Sequence, residues 1–140
     1  MITDDYSGTD AANLAKYYIG TAKLKLGQID EGIAYLEEFD MGYNMVSASA
    51  HAALGYAYEQ QAAFAQAAEH YQKAATTPME NDFTTPLYLL EAARNQESAG
   101  DAGTALETYK RVQNDFPNYE QVVNGNVEKF IAKLDPGADA

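Results

Sequence analysis

Two histidines, His51 and His70, are the side chains in this sequence best suited to acid–base or metal chemistry near neutral pH. A metal centre built on them needs carboxylates converging from elsewhere. Glu59 and Glu69 are the nearby candidates, but no His-x-x-x-His spacing supports the idea. The two rings fall on successive helical stretches and on different local faces, and each reads as a histidine between helices or at the surface. With no cysteine in the chain, disulfides, iron–sulfur clusters, thiolate zinc sites and a cysteine nucleophile are excluded. Gly100-Asp101-Ala102-Gly103 reads as a turn between helices, and no phosphate-cradling glycine loop is present. Asp4-Asp5 and Glu37-Glu38 are adjacent pairs, whose carboxylates point to different sides and read as solvated charge. No Asn-x-Ser/Thr glycosylation acceptor occurs. These residues predict no catalytic set, no metal and no cofactor, and a protein that is not an enzyme.

What remains is a chain whose job is to position surfaces. Its 140 residues fit one domain able to fold without covalent staples, and 46% hydrophobic against 21% charged residues mark it as globular. Twenty-one acidic residues face 9 basic ones, a net charge of -12, which argues against nucleic acid or an anionic lipid surface as partner. No apolar run is long enough to span a bilayer, and the start lacks the charged and apolar regions of a signal peptide. Direct membrane insertion of this segment is therefore not expected.

Helical spacing pervades the sequence, and strand alternation is nearly absent. Phe64, Ala67, Ala68, Tyr71, Ala74 and Ala75 lie on one helical face; Ala102, Ala105, Leu106, Tyr109 and Val112 repeat the spacing, and Ile29, Ile33, Leu36 and Phe39 give another copy. Each follows a more mixed helix: Leu14 to Leu26, Ala48 to Gln60 and Leu87 to Ala99. Gly27 and Gly100 stand where helices end, Asp101 is placed to cap a helix, and Thr85-Pro86 reads as an N-cap followed by proline at the first helical position. A seventh helix is expected over about 119–134, and a flexible tail over 135–140. Gly20, Gly55 and Ala93 recur about 35 and about 38 residues apart, near the 34-residue period of a known helix-pair repeat.

Ala53-Leu54-Gly55-Tyr56-Ala57-Tyr58, then Phe64, Ala67, Tyr71 and Ala74, resembles a nearly complete tetratricopeptide pattern. Ala92-Ala93, Gly100, Ala102, Ala105, Tyr109, Val112 and Pro117 form a weaker copy. Another copy has Ile19-Gly20, Gly27, Ile29, Gly32 and Leu36, with Lys23 where the family prefers an aromatic. The resemblance implies an all-α, right-handed superhelical solenoid of three helix pairs, at about 9–42, 45–80 and 84–118, closed by the helix at about 119–134. All of residues 1–134 would form a single domain. Small residues at the helix crossings allow close approach, and the tyrosines, 11 against 5 phenylalanines and no tryptophan, fill the space between pairs. Phe130, Ile131 and Leu134 are expected to cover the apolar end of the third pair. The opposite end, with Leu14, Tyr18 and Ile19, has less to cover it.

A finer likeness lies in Tyr6-Ser7-Gly8-Thr9, Ala11 to Ala15 and Tyr17 to Gly20, which resemble a variant found in cell-envelope tetratricopeptide proteins of Gram-negative bacteria. Asn81 to Leu87 and Phe116 to Tyr119 resemble other parts of that variant. The likeness implies a membrane anchor ahead of this segment, a periplasmic location, and a role as accessory to protein translocation or envelope assembly.

The family resemblance also implies the binding positions. They are Leu14, Tyr17, Thr21, Leu24 and Lys25 in the first repeat; Ser49, Ala52, Tyr56, Glu59 and Gln60 in the second; and Leu87, Leu90, Arg94, Glu97 and Ser98 in the third. Tyr17, Tyr56, Leu87 and Leu90 would anchor a partner's peptide or helix, and Arg94 would pair with an acid on it. Lys25 and Arg94 would balance Glu59 and Glu97. The family's clamp for acidic chaperone tails is absent, since Tyr17, Thr21, Ala53, Leu87 and Glu91 replace its basic and amide residues. The alternative is a self-associating structural module, a homodimer through the N-terminal end.

Overall fold

The computed structural model describes residues 10–42, 46–135 and 137. Asp4-Asp5, the Tyr6 to Thr9 opening, residues 43–45 and most of the 135–140 tail lie outside these residues. Among the described residues every extended element is a helix: α1 (Asp10–Lys25), α2 (Ile29–Glu38), α3 (Ser47–Gln60), α4 (Phe64–Thr76), α5 (Thr84–Ser98), α6 (Ala102–Asp115), α7 (Glu120–Val123) and α8 (Asn126–Leu134). Packing runs between neighbours in sequence. The pairs α1–α2, α3–α4 and α5–α6 stack through α2 on α3 and α4 on α5, and α8 lies on α6. This is an all-α solenoid of three helix pairs with a terminal helix.

Within a pair, the approach of the helices is set by the absence of side chains at the crossing. A Cβ on Gly32 would stand 2.5 Å from Leu24 Cδ2, and one on Gly20 would stand 2.7 Å from Leu36 Cγ. In the second pair a Cβ on Gly55 would stand 2.8 Å from the Tyr71 ring. Alanine suffices at the third crossing, where Ala93 and Ala105 are fully buried. Two apolar cores result. One gathers Leu24, Leu36, Phe39, Ala50 and Leu54; the other gathers Leu89, Tyr109, Val112, Phe116, Val127 and Ile131.

The expected turn chemistry is largely present. Gly27 and Gly100 have φ of 79° and 85°, values that L side chains rarely adopt, and the Thr104 N–H donates to Asp101 Oδ1 at 3.2 Å. Two expectations are corrected. Thr85 is not a cap: α5 begins a residue earlier, and Asn81 Oδ1 accepts from the N–H groups of Phe83 and Thr84 at 2.9 and 2.7 Å. That leaves the Thr85 hydroxyl buried in the first turn, donating to the Ala75 carbonyl at 2.6 Å and so tying α5 to the end of α4. The terminal helix is also broken. Gly125 takes φ of 84° between α7 and α8, and the Asn124 side chain accepts from the Asn126 N–H at 3.0 Å, so one helix over 119–134 becomes two. The break lets α8 lie on α6, with Val127 and Ile131 buried and the Phe130 ring 5.2 Å from Tyr109.

Candidate protein-binding face

The first helix of each pair, α1, α3 and α5, carries the expected binding positions. Tyr56 and Leu87 stand well out, 45% and 43% exposed, and Lys25 and Arg94 are exposed as well. Leu14, Tyr17, Thr21, Glu59, Leu90 and Glu97 are half-buried. Leu24 is corrected. It is buried in the first core because Gly32 opposite has no side chain, so Leu24 fills that space and presents nothing to a ligand.

Tyr17 packs its ring 5.3 Å from Tyr18 and 5.8 Å from Phe39. Its hydroxyl also lies within electrostatic reach of Tyr88, whose own hydroxyl is pushed up chiefly by burial and then by Tyr17. Tyr88 lies on α5, packed against the C-terminal core. It was not legible in the repeat register, because it follows Leu87 by one position and falls off the family's binding pattern.

The charged positions are already satisfied within the chain. Arg94 Nη2 donates to Glu59 Oε1 at 2.7 Å and to Glu91 Oε2 at 2.5 Å, while Asn95 Nδ2 donates to Glu59 Oε1 at 2.8 Å. Partial burial disfavours the Arg94 charge, but the hydrogen bonds it donates to Glu91 and Glu59 outweigh that and hold the guanidinium even more firmly protonated than usual. Arg94 is therefore not a free cation for a partner's acid; two carboxylates of its own chain share it. Glu91 belongs to this face by the same geometry, three residues before Arg94, a spacing that pairs side chains on a helix. Lys25 does not balance Glu97. That carboxylate accepts from Tyr109 Oη at 2.6 Å and pairs with Lys133 Nζ of α8 at 3.2 Å. Beneath the network, Asn95 is fully buried, and its Oδ1 has no hydrogen-bond partner among the described residues.

Both histidines lie between helices, as expected, but the expectation that they occupy different local faces is corrected. His51 Nδ1 and His70 Nδ1 are 3.5 Å apart, because α3 and α4 cross with these positions facing each other. The Tyr58 ring stacks on His70 at 5.3 Å, its hydroxyl donates to Glu37 Oε1 at 2.7 Å, and His70 Nε2 lies 4.0 Å from that same oxygen. Burial lowers His51 to about 4, with His70 and Lys73 adding to the effect, and burial also lowers His70. Among the described residues no group of three or more His, Asp or Glu is arranged to hold a metal ion. The pair bridges α3 and α4.

A stack of helix pairs in which each pair packs on its neighbours is the architecture of an α-solenoid. The sequence model described as Tetratricopeptide repeat matches residues 14–39 and 88–119, which span most of the first pair and most of the third. These two segments are similar to tetratricopeptide repeats, which generally mediate protein–protein interaction. Among curated proteins none matches the chain. Among the described residues no helix is long and apolar enough to cross a membrane.

Proposed function

We propose that the chain binds an extended or helical peptide of a protein partner along the concave face formed by α1, α3 and α5. The observation that carries this is the exposure of Tyr56 and Leu87 beside the Glu59–Arg94–Glu91 network. Large side chains on a rigid surface are natural anchors, and polar groups already held in place orient a peptide at little entropic cost. Leu14, Tyr17, Thr21 and Leu90 extend the apolar strip, and Lys25 and Glu97 mark its polar edges. Because Arg94 is shared by two carboxylates, the face does not call for an acidic peptide. Its affinity should rest on apolar anchors and vary little with salt. Tyr56→Ala and Leu87→Ala should each weaken partner binding about tenfold with the fold intact. Unchanged affinity in both would remove the assignment.

The module is further proposed to serve protein translocation or envelope assembly from the periplasmic side of a bacterial membrane. The likeness of Tyr6 to Gly20 and Asn81 to Leu87 to envelope variants of the family supports this. Protease accessibility in spheroplasts tests it, and protection of the epitope-tagged protein until the inner membrane is lysed would overturn it. One observation favours self-association as a second reading. Tyr18, Ile19, Leu26 and Tyr35 are all exposed on the first pair. Light scattering after gel filtration decides, and a monomer at tens of micromolar eliminates this reading.

A further inference from the structure

Beyond the strip, the α4–α5 connection and the end of α6 enclose an open cavity of about 440 Å³. Its walls are aromatic. Phe83 is 83% exposed, the largest exposure among the big apolar side chains of the described residues; Phe116 forms the buried floor, and Tyr119 is half-buried beside it. Three carboxylates line the same cavity, those of Asp82, Asp115 and Glu120, and no lysine or arginine does. Arg111 nearby is spoken for by Asp115, 3.4 Å from its Nε, and by Glu80. Among the described residues Asp82 and Glu120 have no ion-pair partner.

An apolar ligand would gain from the rings but leave these carboxylates beside a low-dielectric surface without a counter-charge. A hydrated metal ion would pair with the carboxylates and gain nothing from Phe83. A cation carried on a flat or apolar group uses both, lying over a ring face while it pairs with an acid. We propose that this cavity receives an arginine side chain from a basic segment of a protein partner, stacked on Phe83 and Tyr119 and paired with Asp82 and Glu120. Planarity favours arginine over lysine. The cavity also gives the acidic composition a local use, since this is where uncompensated negative charge meets exposed aromatic surface. The site is independent of the strip: it needs neither Tyr56 nor Leu87.

The test uses the full chain at low salt with two short probes, a tetra-arginine peptide and its tetra-citrulline counterpart, which keeps the planar group and removes the charge. Amide shifts in an NMR titration should map the arginine peptide to 82–83 and 115–120, with the citrulline peptide at least about tenfold weaker. Phe83→Ala, at an exposed position that the fold does not need, should weaken the arginine peptide about fivefold. Asp82→Asn with Glu120→Gln should weaken it more than Glu38→Gln with Glu107→Gln, which removes the same charge elsewhere. Equal loss in the two charge variants, or an unchanged affinity in Phe83→Ala, would reduce the effect to attraction by net charge and overturn the proposal. Equal binding of the citrulline peptide would overturn it as well. Unaltered arginine binding in Tyr56→Ala keeps this site separate from the strip, and loss there would merge the two and refute its independence.

Discussion

Acidification should loosen the second helix pair through His51. In the folded chain His51 lies almost entirely out of solvent, its Nδ1 3.5 Å from that of His70, and both rings titrate below their ordinary value of 6.5. For His51 the main cause is burial, followed by the charges of His70 and Lys73, while Glu37 acts the other way. A folded pKa below the unfolded one means that the unfolded chain binds protons first as pH falls. Stability from this source is complete above pH 6.5 and drains away as pH drops toward about 4. A displacement from 6.5 to about 4 is worth at most about 3 kcal/mol. Solvent around half-buried His70 and the nearby Glu37 screen this to roughly 1–2 kcal/mol.

Urea unfolding followed by circular dichroism, at pH 7.5, 5.5 and 4.5, reads the effect. His51→Leu keeps the volume and removes the proton site. The loss of stability on going from pH 7.5 to 4.5 should then be smaller in the variant than in the parent by about 1–2 kcal/mol. Carboxylate protonation and the relief of acidic repulsion are common to both chains and cancel in the difference. The same pH dependence in parent and variant, or a parent more strongly stabilised than the variant by acid, would refute the reasoning.

Other perturbations test the packing. Gly55→Ala places a Cβ 2.8 Å from the Tyr71 ring, and should cost about 1–3 kcal/mol in thermal or urea unfolding because a buried ring must shift. Thr85→Val removes a buried hydroxyl and leaves the Ala75 carbonyl and the Asn81 N–H without their partner, for a loss of about 1–3 kcal/mol by urea unfolding. Asp101→Ala deletes the side-chain cap of α6, and should cost about 1 kcal/mol by the same measurement. Gly125→Ala forces an L side chain into φ of 84°, and should cost about 1 kcal/mol, with the amides of α8 exchanging faster than those of α3.

The helices and their crossings were legible because both are local facts of spacing. Phe64, Ala67, Tyr71 and Ala74 mark a buried face wherever it packs, and Gly20 and Gly55 recur because each pair needs the same close approach. What escaped depends on how one helix is turned against another. His51 and His70 lie 19 residues apart along the chain and meet only because α3 and α4 pack against each other. Leu24 fits the binding register, yet the bare Cα of Gly32 draws it into the core. Arg94 reads as a free cation until Glu59, on the preceding pair, comes within 2.7 Å. The broken terminal helix carried a local signal in Asn124-Gly125, which the run of apolar residues from Val123 to Leu134 outweighed.

The central claim concerns where a peptide sits. A peptide selected from a random library against the folded chain, titrated into the labelled protein and followed by amide NMR, tests it most directly. The account predicts shifts concentrated on α1, α3 and α5, around Tyr17, Tyr56, Leu87 and Leu90, and largely lost in the Tyr56→Ala, Leu87→Ala double variant. Shifts confined to the outer helices α2, α4 and α6, unchanged in that variant, would contradict it.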